Sequence, residues 1–272
     1  MRFDLLIMAA ATLSPVARPA APLAPPHTLE AATPDTLPSG ARIVRQAARA
    51  VLTGVGIESG ATTTRTRNAL AVLRASVRQQ SDPDALRMAF RAYYNFRELH
   101  PEQVRKPYLY FVDYGLDSNT PRGYVFDMDA LRLVDGPFTV AHGRGSELGR
   151  SGTPSYFTAR HGSHATSLGL FLAQETYSFV GRDSGSPYRS IGLRLTGLSG
   201  AYNSTARARG VVMHGAPYVT ALKAGRSQGC PAIEQWRAYR LIPQIANGSL
   251  VFLFSPRDRN WLNGDPWAAG VS

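Results

Sequence analysis

A single cysteine, Cys230, stands among 272 residues, in the run Gly225-Arg226-Ser227-Gln228-Gly229-Cys230-Pro231, and the dipeptide His214-Gly215 lies sixteen residues before it. With no second cysteine it closes no internal disulfide, so it is an inert buried thiol, an intermolecular partner or a nucleophile. The neighbouring residue types suit the third role. An imidazole beside a thiol can take its proton and stabilise its anion. Ser227, Gln228 and Gly229 read as a tight turn whose glycine lets main chain approach a substrate and whose amides could face an oxyanion. Arg226 adds positive charge nearby. Pro231 suits the first turn of a helix, which predicts Cys230 at a helix mouth, where backbone N–H groups favour a thiolate. Gly215 predicts a sharp turn that aims His214 into the same cleft. Taken alone, this pattern divides evenly between a nucleophilic site and a buried thiol beside a core histidine.

Other polar clusters offer less. His161 and His164 in Arg160-His161-Gly162-Ser163-His164 have a spacing that invites zinc, but no HExxH pattern accompanies them, and an exposed loop explains them better. Asp127, Asp129 and Asp135 read as a solvated hairpin rather than a carboxylate pair. His142, in a glycine-rich turn, fits a cleft or a structural role equally well.

These residues need a scaffold. From Tyr108 onward the chain breaks into short β-branched and aromatic runs: Tyr108–Tyr114, Gly123–Asp127, Phe138–His142, Leu168–Ala173, Thr176–Val180, Ile191–Leu195, Gly210–His214 and Leu250–Phe254. Gly, Asn, Asp and Pro separate them, as in an antiparallel β domain. One helix is expected after Pro231, carrying Ile233, Trp236 and Leu241, with Pro243 kinking or ending it. Helical spacing precedes the β region in three stretches: Ile43, Ala47 and Val51; Leu70, Leu73 and Val77; and a segment opened by Ser81-Asp82-Pro83 that carries Leu86, Phe90, Tyr93 and Tyr94. The expected fold is therefore α+β, with residues 41–107 helical, 108–256 a mainly antiparallel sandwich or barrel, and 257–272 a tail.

Composition bounds the partners. Apolar residues make up 44% of the chain, which excludes general disorder, and the formal charge is +11. Such a charge suits an anionic partner. The basic residues are dispersed, however, and no nucleic-acid-binding motif is present. Arg2 followed by the apolar run Leu5 to Leu13 reads as an export signal over residues 1–24, too short to span a bilayer. Residues 25–40 continue a proline- and alanine-rich tether. The expectation is an exported protein of the periplasm or cell envelope without stable membrane insertion.

The segment from His214-Gly215-Ala216 to Ser227-Gln228-Gly229-Cys230-Pro231-Ala232 resembles the signature of YkuD-type L,D-transpeptidases, in particular the murein L,D-transpeptidase catalytic-domain branch. Ala141-His142-Gly143-Arg144-Gly145-Ser146, Ser167-Leu168-Gly169, Arg207 to Gly215, and Gly248-Ser249-Leu250-Val251-Phe252 fit as well. The resemblance runs from about Phe90 to Phe254. It implies a cysteine acyltransferase with Cys230 as nucleophile and His214 as base, the imidazole oriented by a backbone carbonyl at or near Gly215. Arg226, Ser227, Gln228, Gly229, Gly215 and His142 would line the substrate site. The implied substrates are peptidoglycan stem peptides, and no metal or organic cofactor is implied. Many relatives read Ser-His-Gly-Cys-x-Arg, whereas this chain has Gln228 and Ala232 at the variable places. The role of that arginine does not transfer, and Arg226, Arg209 and Lys223 are the cations available to replace it. Two other classes remain open: a non-catalytic peptidoglycan-binding module, and a metal hydrolase using His142, His161, His164 and His214.

Overall fold

The computed structural model describes residues 59–149 and 152–269. The expected leader, the tether and the helical stretch at Ile43, Ala47 and Val51 lie outside the described residues. No helix among the described residues is long and apolar enough to cross a membrane.

Two helices come first. α1 (Gly60–Leu73) opens where the Ser59 hydroxyl accepts the Thr62 N–H at 3.0 Å, occupying a donor that the helix itself cannot satisfy. It ends in a 3₁₀ turn over Arg74–Ser76, so Val77 is extended rather than helical. α2 (Ala85–Leu99) buries the expected stripe of Leu86, Phe90, Tyr93 and Tyr94. Its start differs from the expected Ser81 cap. The Ser81 N–H and hydroxyl instead donate to Asp113, at 2.7 and 2.5 Å, and the Gly115 N–H completes the set at 3.0 Å. A carboxylate fully shielded from water requires such donors, and Ser81 provides them in place of capping the helix.

The β region is an eight-stranded mixed sheet in the order β3-β2-β1-β10-β5-β6-β7-β9, with a two-stranded β4-β8 pair beside it. The strands are β1 (Tyr108–Asp113), β2 (Gly123–Asp127), β3 (Arg132–Phe138), β4 (His142–Gly143), β5 (Gly169–Asp183), β6 (Ser186–Gly197), β7 (Val212–Ala216), β8 (Arg226–Ser227), β9 (Ala232–Glu234) and β10 (Leu250–Phe254). Most neighbours are antiparallel, as expected, but β1–β10, β7–β9 and β4–β8 are parallel. β3 and β9 end the large sheet, so it is sandwich-like and not a closed barrel. The two stretches expected at Leu168–Ala173 and Thr176–Val180 form one strand, β5, with a register shift between Ala173 and Thr176. Its first half is buried, and its second half pairs with β6 as a projecting hairpin.

β1 and β10 are almost continuously apolar because both faces are covered. Phe111, Phe126, Phe252 and Phe254 are buried with Trp261 in the same cluster as α2, and Phe90 meets Phe126 edge to face at 5.5 Å. Each such ring contributes roughly 1.5–3 kcal/mol on burial. This core fixes the β10-β5-β6-β7 order, and with it the place of His214.

The segment after Pro231 corrects the expected helix mouth. Residues Ala232–Glu234 form strand β9 beside β7, and α3 (Gln235–Ile245) begins only afterwards. Cys230 therefore does not sit at a helix N-terminus, and Ile233 is a strand residue. The Pro231 carbonyl accepts the His214 N–H at 3.3 Å, so ladder bonding here outcompetes helix initiation. Pro243 is accommodated inside α3, where the Lys106 ammonium donates to the carbonyls of Pro243 and Gln244 at 3.3 and 2.8 Å.

Candidate active site

β7 is buried along its whole length and runs between β6 and β9, pairing His214 with Gly192 on one side and Ala232 on the other. This register brings the strand that carries His214 alongside the chain that has just passed Cys230. The His214 ring is packed edge-on by Phe179 at 5.6 Å and Tyr218 at 6.5 Å. Its Nδ1 lies 3.1 Å from the Gly215 carbonyl oxygen. A carbonyl can only accept, so Nδ1 carries the proton and Nε2 is left with a lone pair. Burial pushes the imidazole below the ordinary histidine range, with the Gly215 bond opposing in part. His214 is thus a neutral imidazole at neutral pH, with Nε2 able to accept a proton.

Gly215 does not make the expected turn, because it lies within β7. A Cβ there would come within 2.7 Å of Ser190 Oγ and 2.8 Å of Ala238 Cβ, so its lack of a side chain is what lets α3 pack on the strand.

Cys230 is half-buried, with its Sγ 4.0 Å from the Gly210 carbonyl. Burial raises the thiol above its ordinary range, while the Val212 N–H and the Arg209 charge pull it down. Thiol and imidazole are therefore each neutral at rest. The preceding turn is closed by Ser227, whose hydroxyl donates to the Cys230 carbonyl at 2.6 Å and accepts the Gly229 N–H at 3.2 Å. Both bonds of Ser227 are used inside the turn. Gly229 has a φ of +119°, open to glycine and strained for other residues. Gln228 is exposed.

The remaining expected site residues gather on the other flank. β4 and β8 pair His142 with Arg226 and Gly143 with Ser227. The Arg226 guanidinium is bound to the Glu147 carboxylate, and it also donates to Ser118 Oγ at 3.1 Å and the Ala224 carbonyl at 3.0 Å. That bond holds Glu147 well below the usual carboxylate range, at about 2. His142 is fully buried, its Nδ1 accepting from Arg122 Nη2 at 2.9 Å and its Nε2 lying 3.7 Å from Glu147. Burial, with the Arg122 and Arg226 charges, drives its imidazole down to about 3. Arg122 is itself fully buried, donating to the carbonyls of Leu116 and Val140 and lying 4.8 Å over the Tyr114 ring.

Beside this flank a cavity of about 650 Å³ is lined by Ser118, Asn119, Glu147, Tyr218, Lys223 and Arg226. Sequence patterns pass over several residues here. Tyr177, Phe179, Tyr188 and Tyr218 wall the thiol and imidazole only because the β5–β6 hairpin and the loop after β7 converge. Arg122 carries no local signal at all, whereas Glu147 directly follows the Ala141–Ser146 motif. The four histidines do not converge, and among the described residues no group of three metal-ligating side chains exists. Asp135 pairs with Arg237 and Arg240, and Asp129 with Arg97.

A family model described as the L,D-transpeptidase catalytic domain, YkuD_2, matches residues 77–254. No curated protein matches. Solved structures that align include an LD transpeptidase in complex with imipenem (14% identity, 54% of this chain and 59% of that one, TM-score 0.36). An L,D-transpeptidase from Mycobacterium smegmatis aligns over 54% and 58% (14% identity, TM-score 0.33). A third, from Mycobacterium tuberculosis H37Rv, aligns over 54% and 57% (14% identity, TM-score 0.31). This chain spans a little over half the length of each of those proteins. With the model covering well over half of its residues, the chain belongs to the L,D-transpeptidase catalytic-domain family.

Proposed function

We propose that the protein is a cell-wall L,D-transpeptidase in which Cys230 is the nucleophile and His214 the general base. The observation that carries this reading is the parallel register of β7 and β9. It sets the base-bearing strand against the cysteine turn, with His214 Nδ1 committed to Gly215 and Nε2 left to accept a proton.

Because thiol and imidazole are both neutral at rest, proton transfer accompanies attack and does not precede it. The sulfur adds to the carbonyl of the third residue of a peptidoglycan tetrapeptide stem, and Nε2 takes the thiol proton. The oxyanion is held by backbone N–H donors. The Gly229 N–H is engaged by Ser227, so in this reading the Cys230 N–H is the nearer donor. As the C–N bond breaks, Nε2–H protonates the departing D-alanine amine and a thioester remains. An amine from a second stem then attacks, Nε2 accepts its proton, and the sulfur leaves and is reprotonated. The product is a 3→3 cross-link, and water in place of the amine gives an L,D-carboxypeptidase. The net charge of +11 suits a substrate rich in carboxylates in the cell envelope.

The test is incubation of the purified protein with a disaccharide-tetrapeptide, followed by mass spectrometry. The expected result is loss of one alanine and an acyl adduct on Cys230. Full activity in Cys230→Ala would overturn the mechanism. Binding of the muropeptide with no adduct and no alanine release would identify a non-catalytic wall-binding module instead.

A further inference from the structure

Like the fully buried Arg122, which donates only to neutral acceptors, Arg209 has no carboxylate partner, and in this it departs from several arginines near the site. Arg207, two residues away, pairs with Glu175 at 2.6 Å; Arg226 pairs with Glu147, and Arg237 and Arg240 pair with Asp135. The half-buried Arg209 guanidinium instead donates to four neutral acceptors: the Thr158 carbonyl at 2.9 Å, Ser167 Oγ at 2.7 Å, Ser163 Oγ at 3.2 Å and the Ala165 carbonyl at 2.8 Å. Among the described residues, no carboxylate lies within ion-pair reach of it. A cation partly withdrawn from water is normally paired, and one held only by neutral dipoles keeps its field for whatever anion forms nearby.

The position of this charge points to that anion. A Cβ at Gly229 would lie 3.6 Å from Arg209 Nη2, so the guanidinium faces the residue that precedes the cysteine. The main chain leaving Arg209 passes the thiol directly, with the Gly210 carbonyl 4.0 Å from Sγ. No cation comes from the position two residues after the cysteine, because Ala232 is there, buried in β9.

We propose that Arg209 is a positioning residue whose uncompensated charge stabilises the Cys230 sulfur anion as it forms during attack and as it leaves the thioester. This rests on the reading of Cys230 as the nucleophile. Arg226, by contrast, is neutralised by Glu147 and serves the β4–β8 flank. Arg209 also ties the Thr158–Ser167 segment to the cysteine turn, so the test must separate charge from scaffolding.

Cys230 is the chain's one cysteine, so iodoacetamide labelling of the full protein, followed by mass spectrometry across pH, reads this thiol alone. Arg209→Gln is expected to raise the alkylation midpoint by about one pH unit. At neutral pH the rate falls only about threefold, because a more basic thiolate is also more nucleophilic. Arg209→Lys, which keeps the charge and loses the fork of hydrogen bonds, is expected to hold the midpoint near that of the parent. Ser163→Asp sets a carboxylate beside Nη2 with the guanidinium in place, and should move the midpoint as Arg209→Gln does. Ser163→Asn and Arg207→Gln should leave it unmoved. An unchanged midpoint in folded Ser163→Asp overturns the proposal, even where Arg209→Gln fails to fold. So does a rise in Arg209→Lys equal to that in Arg209→Gln. Labelling needs no stem peptide, so its failure is distinguishable from failure of the tetrapeptide assay.

Discussion

Two of the three His-Gly dipeptides of the chain lie on short strands with a parallel partner, and those partner strands are the ones that enter and leave the cysteine turn. His142-Gly143 on β4 lies against β8, and His214-Gly215 on β7 lies against β9. The two imidazoles are nonetheless set up in opposite senses. Arg122 can only donate, so His142 Nδ1 must accept and its proton sits on Nε2, toward Glu147. The Gly215 carbonyl can only accept, so His214 Nδ1 carries the proton and Nε2 is free. One ring is a buried structural part between two arginines and a glutamate. The other keeps an open lone pair on Nε2. A single neighbouring group decides the tautomer, and the tautomer decides whether the residue can do chemistry.

The glycines differ in the same spirit. A Cβ at Gly143 would reach the His164 carbonyl at 2.2 Å and Gly229 Cα at 2.6 Å, both backbone atoms that cannot swing away. At Gly215 the nearest atoms are a serine hydroxyl and an alanine methyl. Gly143 therefore lets β4 approach the cysteine turn, and Gly215 admits a helix.

Exchanging the histidines' roles by mutation tests this contrast most severely. His214→Gln is expected to lower acyl transfer by about 10²–10⁴-fold with little change in Tm, as loss of a general base does. His142→Gln should instead lower Tm and leave most of the activity per folded molecule. A steady-state assay paired with thermal melts reads both, and a large rate loss in folded His142→Gln would break the comparison.

Acid stability provides the next test. The His142 imidazole ionises at about 3 in the fold against an ordinary value of 6.5, so between those values the unfolded chain binds the extra proton. Folding stability should therefore fall as pH drops from about 6.5 toward 3, by an amount on the order of 5 kcal/mol. Glu147, held at about 2 against 4.5, adds a further loss as pH falls from about 4.5 toward 2. Urea melts across this range should show His142→Gln less acid-sensitive than the parent, and equal slopes would contradict the assignment. Gly143→Ala should then cost about 3 kcal/mol or more and Gly215→Ala about 1–3 kcal/mol, since the Gly143 clashes are closer and all with backbone, whereas at Gly215 the nearest atom, Ser190 Oγ, can rotate away and the rest require only a small shift of α3. Chemical denaturation measures both. The smallest effect is expected for Phe179→Ala, which removes the edge contact on His214: a rate loss of a few fold, with the alkylation midpoint of Cys230 unmoved.

Much of the fold is legible in the sequence. β2 and β10 were readable to the residue, because continuous apolar runs bounded by turn residues have few alternatives. The Ser227-Gln228-Gly229 turn was equally readable, since a glycine at that place frees the backbone for a positive φ. The strand at Ala232–Glu234 was not. Pro231 followed by Ile233 and Trp236 reads as a helix start, and only the unpaired edge of β7 makes three residues of ladder the better solution. The stretches either side of Ala173–Thr176 looked like two strands because the register shift interrupts their alternation.

The division follows from the range of the interactions. Residue type and local spacing by themselves determined the nucleophile and base candidates, the α+β class and most of the strands, because those features depend on groups within a few positions of one another. Tertiary structure alone decided that His142 Nδ1 accepts from Arg122, that Arg226 is neutralised by Glu147, and that Arg209 is held by neutral acceptors. Each of those outcomes turns on a partner tens of residues away in sequence: Arg122 for His142, Glu147 for Arg226, and the Thr158–Ser167 segment for Arg209. Electrostatics and desolvation act through space, and space is allotted only when the sheet is assembled.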